Sequence, residues 1–134
     1  MTNPPPDLLT AAEAARAQAY CPYSGYHVGA ALRTVDGAVI VGCNVENASY
    51  PLGTCAEAGM IAAMVLAGER MIAEVVVVTD GDVPGTPCGG CRQRLREFAA
   101  LDVVVHSVAA SGAVLSRTLG ELLPDSFGPE FLDR

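Results

Sequence analysis

The chain has 134 residues, with 8 Lys and Arg against 15 Asp and Glu for a formal charge of −7, and it is 51% apolar and 17% charged. That is the size of one ordinary domain, too apolar for a disordered tail and long enough to bury roughly two thirds of its unfolded surface without disulfide staples. Eight scattered cations form no basic stripe, so nucleic acid is excluded as a partner, and runs such as Met60–Ala67 and Val75–Val78 fall far below the roughly 20 apolar residues of a spanning helix.

The N-terminus has no basic n-region and no apolar h-region, so no secretory signal is expected and the chain reads as cytoplasmic. Five cysteines in a reducing compartment are then expected to be metal ligands, nucleophiles or small core residues rather than bridges.

The prolines at 4–6 read as the end of a flexible leader over residues 1–6, with Asp7 as N-cap of a first helix over Leu8–Ala19. His27–Thr34 and Ala38–Cys43 flank Asp36-Gly37, a hairpin signal. Asn44–Thr54 is polar and irregular. Cys55–Ala67 carries helix formers and closes at Gly68. Val75–Thr79 reads as a buried central strand, Asp80–Pro87 as a loop, Gly89–Ala99 as a helix and Val103–His106 as another short strand. A weak strand near Ala113–Ser116 and a helical turn at Leu119–Leu122 close the chain. The α-β-β-α-β-α-β order predicts parallel crossovers with helices on both faces: an α/β fold, a three-layer α/β/α sandwich on a mixed sheet of about five strands, as a single domain over 1–134.

Three cysteines stand at the starts of two predicted helices: Cys55 in Thr54-Cys55-Ala56-Glu57, and Cys88 with Cys91 in Pro87-Cys88-Gly89-Gly90-Cys91. Free N–H groups and the positive end of the helix dipole favour thiolate, the metal-binding form. Three thiolates suit zinc, and a tetrahedral ion with three protein ligands keeps one position for water. Glu57, two residues past Cys55 on the same turn, is placed to carry protons without ligating the ion. A His or Cys, one residue, Glu, and a later Pro-Cys-x-x-Cys form the zinc-deaminase signature.

Beyond that motif the sequence carries Pro22-Tyr23-Ser24, Val28-Gly29-Ala30-Ala31-Leu32, Gly42-Cys43-Asn44-Val45-Glu46-Asn47-Ala48-Ser49-Tyr50, Cys91-Arg92-Gln93, and Leu122-Leu123-Pro124 through Phe127-Gly128-Pro129-Glu130. Over most of its length it closely resembles the small homotetrameric cytidine deaminases. The resemblance implies hydrolytic conversion of cytidine and 2′-deoxycytidine to uridine and 2′-deoxyuridine with release of ammonia, one Zn2+ per subunit, and a homotetramer with sites at subunit boundaries. It implies a small nucleoside as substrate, with Asn44 and Glu46 on the ribose 3′-hydroxyl and the Ala56 N–H on the base carbonyl. Tyr26 stands where the family usually has Phe, and Phe127 matches the tail aromatic, within residues 119–134, that stacks on the base from a neighbouring subunit. The family often has Arg directly after the Glu; here that position is Ala58, and Arg92 is expected to offset part of the charge of three thiolates.

Other readings stay open at this point. The cysteines could form a closed structural zinc site with Cys43 or His106 as fourth ligand, in a non-catalytic binding module, or Cys88 and Cys91 could be a redox pair. Glu57 could be a solvated first-turn acid, Asn44 and Glu46 could only shape a turn, and the substrate could be another aminated heterocycle. His27 has no assigned role.

Overall fold

The computed structural model describes residues 3–132; Met1 and Thr2 of the expected leader, and Asp133 and Arg134 of the tail, lie outside the described residues. The elements are α1 (Pro6–Ala17), β1 (Val28–Thr34), β2 (Val39–Cys43), α2 (Ala56–Leu66), β3 (Ile72–Thr79), α3 (Gly89–Phe98), β4 (Ala99–Ala109), β5 (Val114–Thr118) and α4 (Leu119–Leu122). One five-stranded sheet has the order β2-β1-β3-β4-β5. β1 is antiparallel to both β2 and β3, β3 is parallel to β4, and β5 returns antiparallel. The sheet is therefore mixed, as expected.

Alternation along β3 divides the core into two layers. Val75 and Val77 join Ala30, Leu32, Val105 and the buried faces of α2, α3 and α4. Val76 and Val78 point the other way, to Ala31, Val108 and the α1 residues Leu8 and Ala12. Two glycines set how closely the helices approach the sheet. A Cβ on Gly29 would lie 2.1 Å from the Ala12 carbonyl oxygen of α1, and one on Gly42 would lie 2.4 Å from the Ala56 carbonyl oxygen of α2. Among the described residues no helix is long and apolar enough to cross a membrane.

Some boundaries differ from the sequence reading, for local reasons. α1 starts at Pro6, which needs no hydrogen bond for its missing N–H in the first turn, so Asp7 is not the N-cap. Asp7 instead accepts a hydrogen bond from Arg33 Nη2 on β1 at 2.6 Å. β4 begins as soon as α3 ends, much earlier than Val103; the pairing with β3 jumps from Ile72↔Ala99 to Glu74↔Val104, an irregularity that accommodates the exposed Leu101 and Asp102. His106 is wholly buried in β4, with Nδ1 2.7 Å from Ser116 Oγ and Nε2 2.6 Å from Glu74 Oε2.

His27 and Asp80 tie three segments together. Asp80, just past β3, accepts from Arg16 Nη1 of α1 at 2.6 Å and from the His27 N–H at 2.8 Å, and the His27 ring Nδ1 lies 2.8 Å away. Burial alone would raise the Asp80 carboxyl, but the His27 amide, its ring and Arg16 outweigh burial and hold it below the ordinary carboxylate value. A depressed folded value stabilises the protein above the unfolded carboxyl's pKa of about 3.9, and that contribution is lost as pH falls through the lower folded value. Asp80→Asn is therefore expected to cost about 1–3 kcal/mol at neutral pH. In denaturant melts the gap from wild type should close below about pH 4; a gap of constant size down to pH 2 would reject this role.

Candidate active site

The strand directions bring the site together. β1 is antiparallel to both β2 and β3, so β2 and β3 run the same way, and α2 and α3, which follow them, both start at one edge of the sheet. Cys55 is the residue before α2 and Cys88 the residue before α3, with Cys91 in the first turn of α3. Their sulfurs all lie within 4.8 Å of one another, and among the described residues these three alone make up the cluster. His106 is taken up by Ser116 and Glu74, and Cys43 lies outside the cluster, so neither closes the site as a fourth ligand.

The three thiols differ in environment. Cys88 is exposed, and the Cys91 N–H at the start of α3 favours its thiolate, which lowers its pKa. Burial pushes the Cys55 and Cys91 thiols up, and the Glu57 carboxylate adds to the rise at Cys91. A divalent cation offsets that cost. Convergent soft sulfur donors in this number fit a zinc site.

Beside the sulfurs lies a cavity of about 190 Å³ whose walls include Tyr26, Asn44, Cys55, Ala56, Glu57 and Cys88. Glu57 is 5% exposed, and burial raises its carboxyl above the ordinary value. Ala56 is fully buried in the first turn of α2, where backbone N–H groups have no helical acceptor. The Asn44 side chain accepts from the Val28 N–H at 2.9 Å and donates to the Tyr26 carbonyl at 2.8 Å, so both ends of its amide are tied to the cavity wall. Val28 of β1, Val77 and Thr79 of β3, and Gly85 and Thr86 of the following loop complete the wall. Sequence reasoning missed these five; the loop's position after a buried strand was the only signal.

The family described as "Cytidine and deoxycytidylate deaminase zinc-binding region" matches residues 5–107. The chain belongs to this family. It is 42% identical over 123 residues to the cytidine deaminase of Halalkalibacterium halodurans, covering 92% of this chain and 93% of that one. It is 44% identical over 121 residues to the cytidine deaminase of Mycobacterium tuberculosis, covering 90% and 86%. Among solved structures, a cytidine deaminase from Burkholderia pseudomallei is 46% identical with a TM-score of 0.86, covering 90% of this chain and 97% of that one.

Three residues of this deaminase-family chain stand apart from the cavity. Glu46 lines a neighbouring cavity of about 270 Å³ with Tyr23, Ser24, Asn47, Tyr50 and Gly53. Its carboxylate accepts from the Tyr23 and Ser24 N–H groups at 3.0 and 3.1 Å and from the Ser24 hydroxyl, contacts that lower its pKa. Phe127 is 54% exposed and stacks on Phe131, with ring centroids 5.1 Å apart. Arg92 does not reach the sulfurs. Its guanidinium donates to the Pro87 and Leu122 carbonyls, each at 2.7 Å, and to Thr86 Oγ1 at 2.9 Å, fastening the loop before α3 to the end of α4. Among the described residues the cation at the cluster is Arg94, whose Nη1 lies 3.4 Å from Cys91 Sγ. It sits three residues past Cys91 on α3, a spacing that places side chains on one helix face.

Proposed function

We propose that the chain catalyses zinc-dependent hydrolytic deamination of cytidine and 2′-deoxycytidine to uridine and 2′-deoxyuridine, as a cytoplasmic homotetramer serving pyrimidine salvage. The observation that carries this reading is the buried Glu57 carboxylate facing the same small cavity as two of three clustered cysteine sulfurs. Cys55, Cys88 and Cys91 would hold the ion. Zinc, when bound, supplies a Lewis acid that makes water a nucleophile at neutral pH.

The remaining work falls to this chain's own groups. Glu57 takes one proton from water as the water oxygen bonds to C4 of the base and delivers it to N3; it then takes the remaining proton from the new C4 hydroxyl and gives it to the amine as the C4–N4 bond breaks, leaving the C4 carbonyl and ammonia. Its raised pKa suits a group that must accept and give a proton in turn. The Ala56 N–H donates to the base carbonyl, Asn44 receives the ribose 3′-hydroxyl at the cavity wall, and Glu46 joins it from the neighbouring cavity once its carboxylate turns from Tyr23 and Ser24 to the sugar. Tyr26 gives the base a flat wall. The net charge of −7 and the Glu46 carboxylate disfavour a phosphorylated substrate.

Cytidine incubated with the zinc-loaded chain should lose its characteristic ultraviolet absorbance, and a chelator should abolish the change. No change with stoichiometric zinc bound would leave a binding module instead. Within the proposal, the tail over residues 119–134 contributes Phe127 to a neighbouring subunit's site. Mixing inactive Glu57→Gln subunits with inactive Phe127→Ala subunits is then expected to restore turnover, because some mixed sites have both groups intact. Absence of rescue in verified mixed oligomers would place the ring in its own subunit's site.

A further inference from the structure

Three thiolates around a divalent ion leave a net charge of −1, which weakens the ion as a Lewis acid and is costly beside a buried wall. α2 offers no cation to offset it, since the residue after Glu57 is Ala58. α3 does. The Arg94 guanidinium donates from Nη1 to Cys91 Sγ, the most buried sulfur of the three. Arginine keeps its charge at any pH a protein survives, so this contact is a fixed positive charge on the sulfur.

The local backbone makes room for it. A Cβ on Gly90 would lie 3.3 Å from Arg94 Nη1, a tight contact, so the bare glycine lets the guanidinium settle over the Cys88–Cys91 turn. Arg92 and Arg96 are engaged elsewhere: Arg92 with loop and α4 carbonyls, Arg96 with Ser126 and Glu130 of the tail. The duty at the sulfurs therefore falls to Arg94.

We infer that Arg94 is a positioning residue for the reaction, the charge partner of the Cys55–Cys88–Cys91 metal site acting through the Cys91 sulfur in place of a cation after Glu57. This rests on the zinc reading above. By drawing electron density from the sulfur, Arg94 favours the filled site and leaves a bound ion more electrophilic. It touches no substrate, so its loss should lower kcat and leave KM nearly unchanged.

The test replaces the charge while keeping the apolar stem. Arg94→Met is expected to weaken zinc retention about tenfold in competition with a chelator. In the cobalt-substituted protein it should move the sulfur-to-metal charge-transfer band to longer wavelength, because removing a donor raises the sulfur lone pair. Arg94→Lys should recover part of both changes. Gly90→Ala, which crowds the guanidinium without removing it, should shift both in the same direction by less. Equal zinc affinity and an unmoved cobalt band in Arg94→Met would overturn the inference while leaving the deaminase reading intact. A wild-type chain that binds neither metal would overturn both.

Discussion

Glu57→Gln is expected to lower kcat by about 10²–10⁴-fold with the zinc content and the melting temperature kept. Glutamine has the same length and shape but cannot take a proton from water or return one to the leaving amine. The side chain is 5% exposed and burial already disfavours its charge, so a neutral amide there does not weaken the fold. The expected signature is therefore a rate defect in a folded, metal-loaded protein. Metal analysis beside a turnover assay distinguishes the outcomes. If zinc leaves with the carboxylate, Glu57 is a ligand and the assignment of roles is wrong.

Gly42→Ala is expected to damage stability and site together. The added Cβ would stand 2.4 Å from the Ala56 carbonyl oxygen and 2.5 Å from the Met60 amide nitrogen, across the first two turns of α2. Both are backbone atoms, so relief requires the whole helix start to move. Overpacking of this kind costs typically about 1–3 kcal/mol. The displaced turn carries Glu57 and follows Cys55, and a shift of about 1 Å at reacting groups can cost about 10²-fold in rate. Thermal melts and a turnover assay on the same zinc-loaded sample check both parts. An unchanged melt with unchanged turnover would mean the strand and helix separate freely there, contrary to the packing described.

How much of this was readable in the sequence follows from which contacts are local. The Cys55-Ala56-Glu57 and Cys88-x-x-Cys91 spacings are set within single turns, so the helix starts and each half of the sulfur cluster are visible in the residue order, whereas the meeting of the two halves across β3 depends on the βα topology. The hairpin at Asp36-Gly37 and the apolar run of β3 as a buried strand are legible for the same reason. What was not legible depends on partners distant in sequence. Glu46 lies in a neighbouring cavity because its carboxylate is captured by the turn at Tyr23 and Ser24, more than twenty residues away. Arg92 and Arg94 both follow Cys91 closely, and composition cannot choose between them. The direction of each side chain, and the carbonyls of Pro87 and Leu122 waiting for Arg92, decide it. β4 is longer than its apolar pattern predicts because Asp102 interrupts that pattern, which the pairing irregularity with β3 absorbs.

The sulfurs sit on either side of β3 in the chain, one before it and two after, yet that strand fits between β1 and β4 in the sheet. Until it has slotted home, no three of them can meet. The metal site is therefore a property of the completed sheet, its donors drawn together from the two segments that flank the central strand.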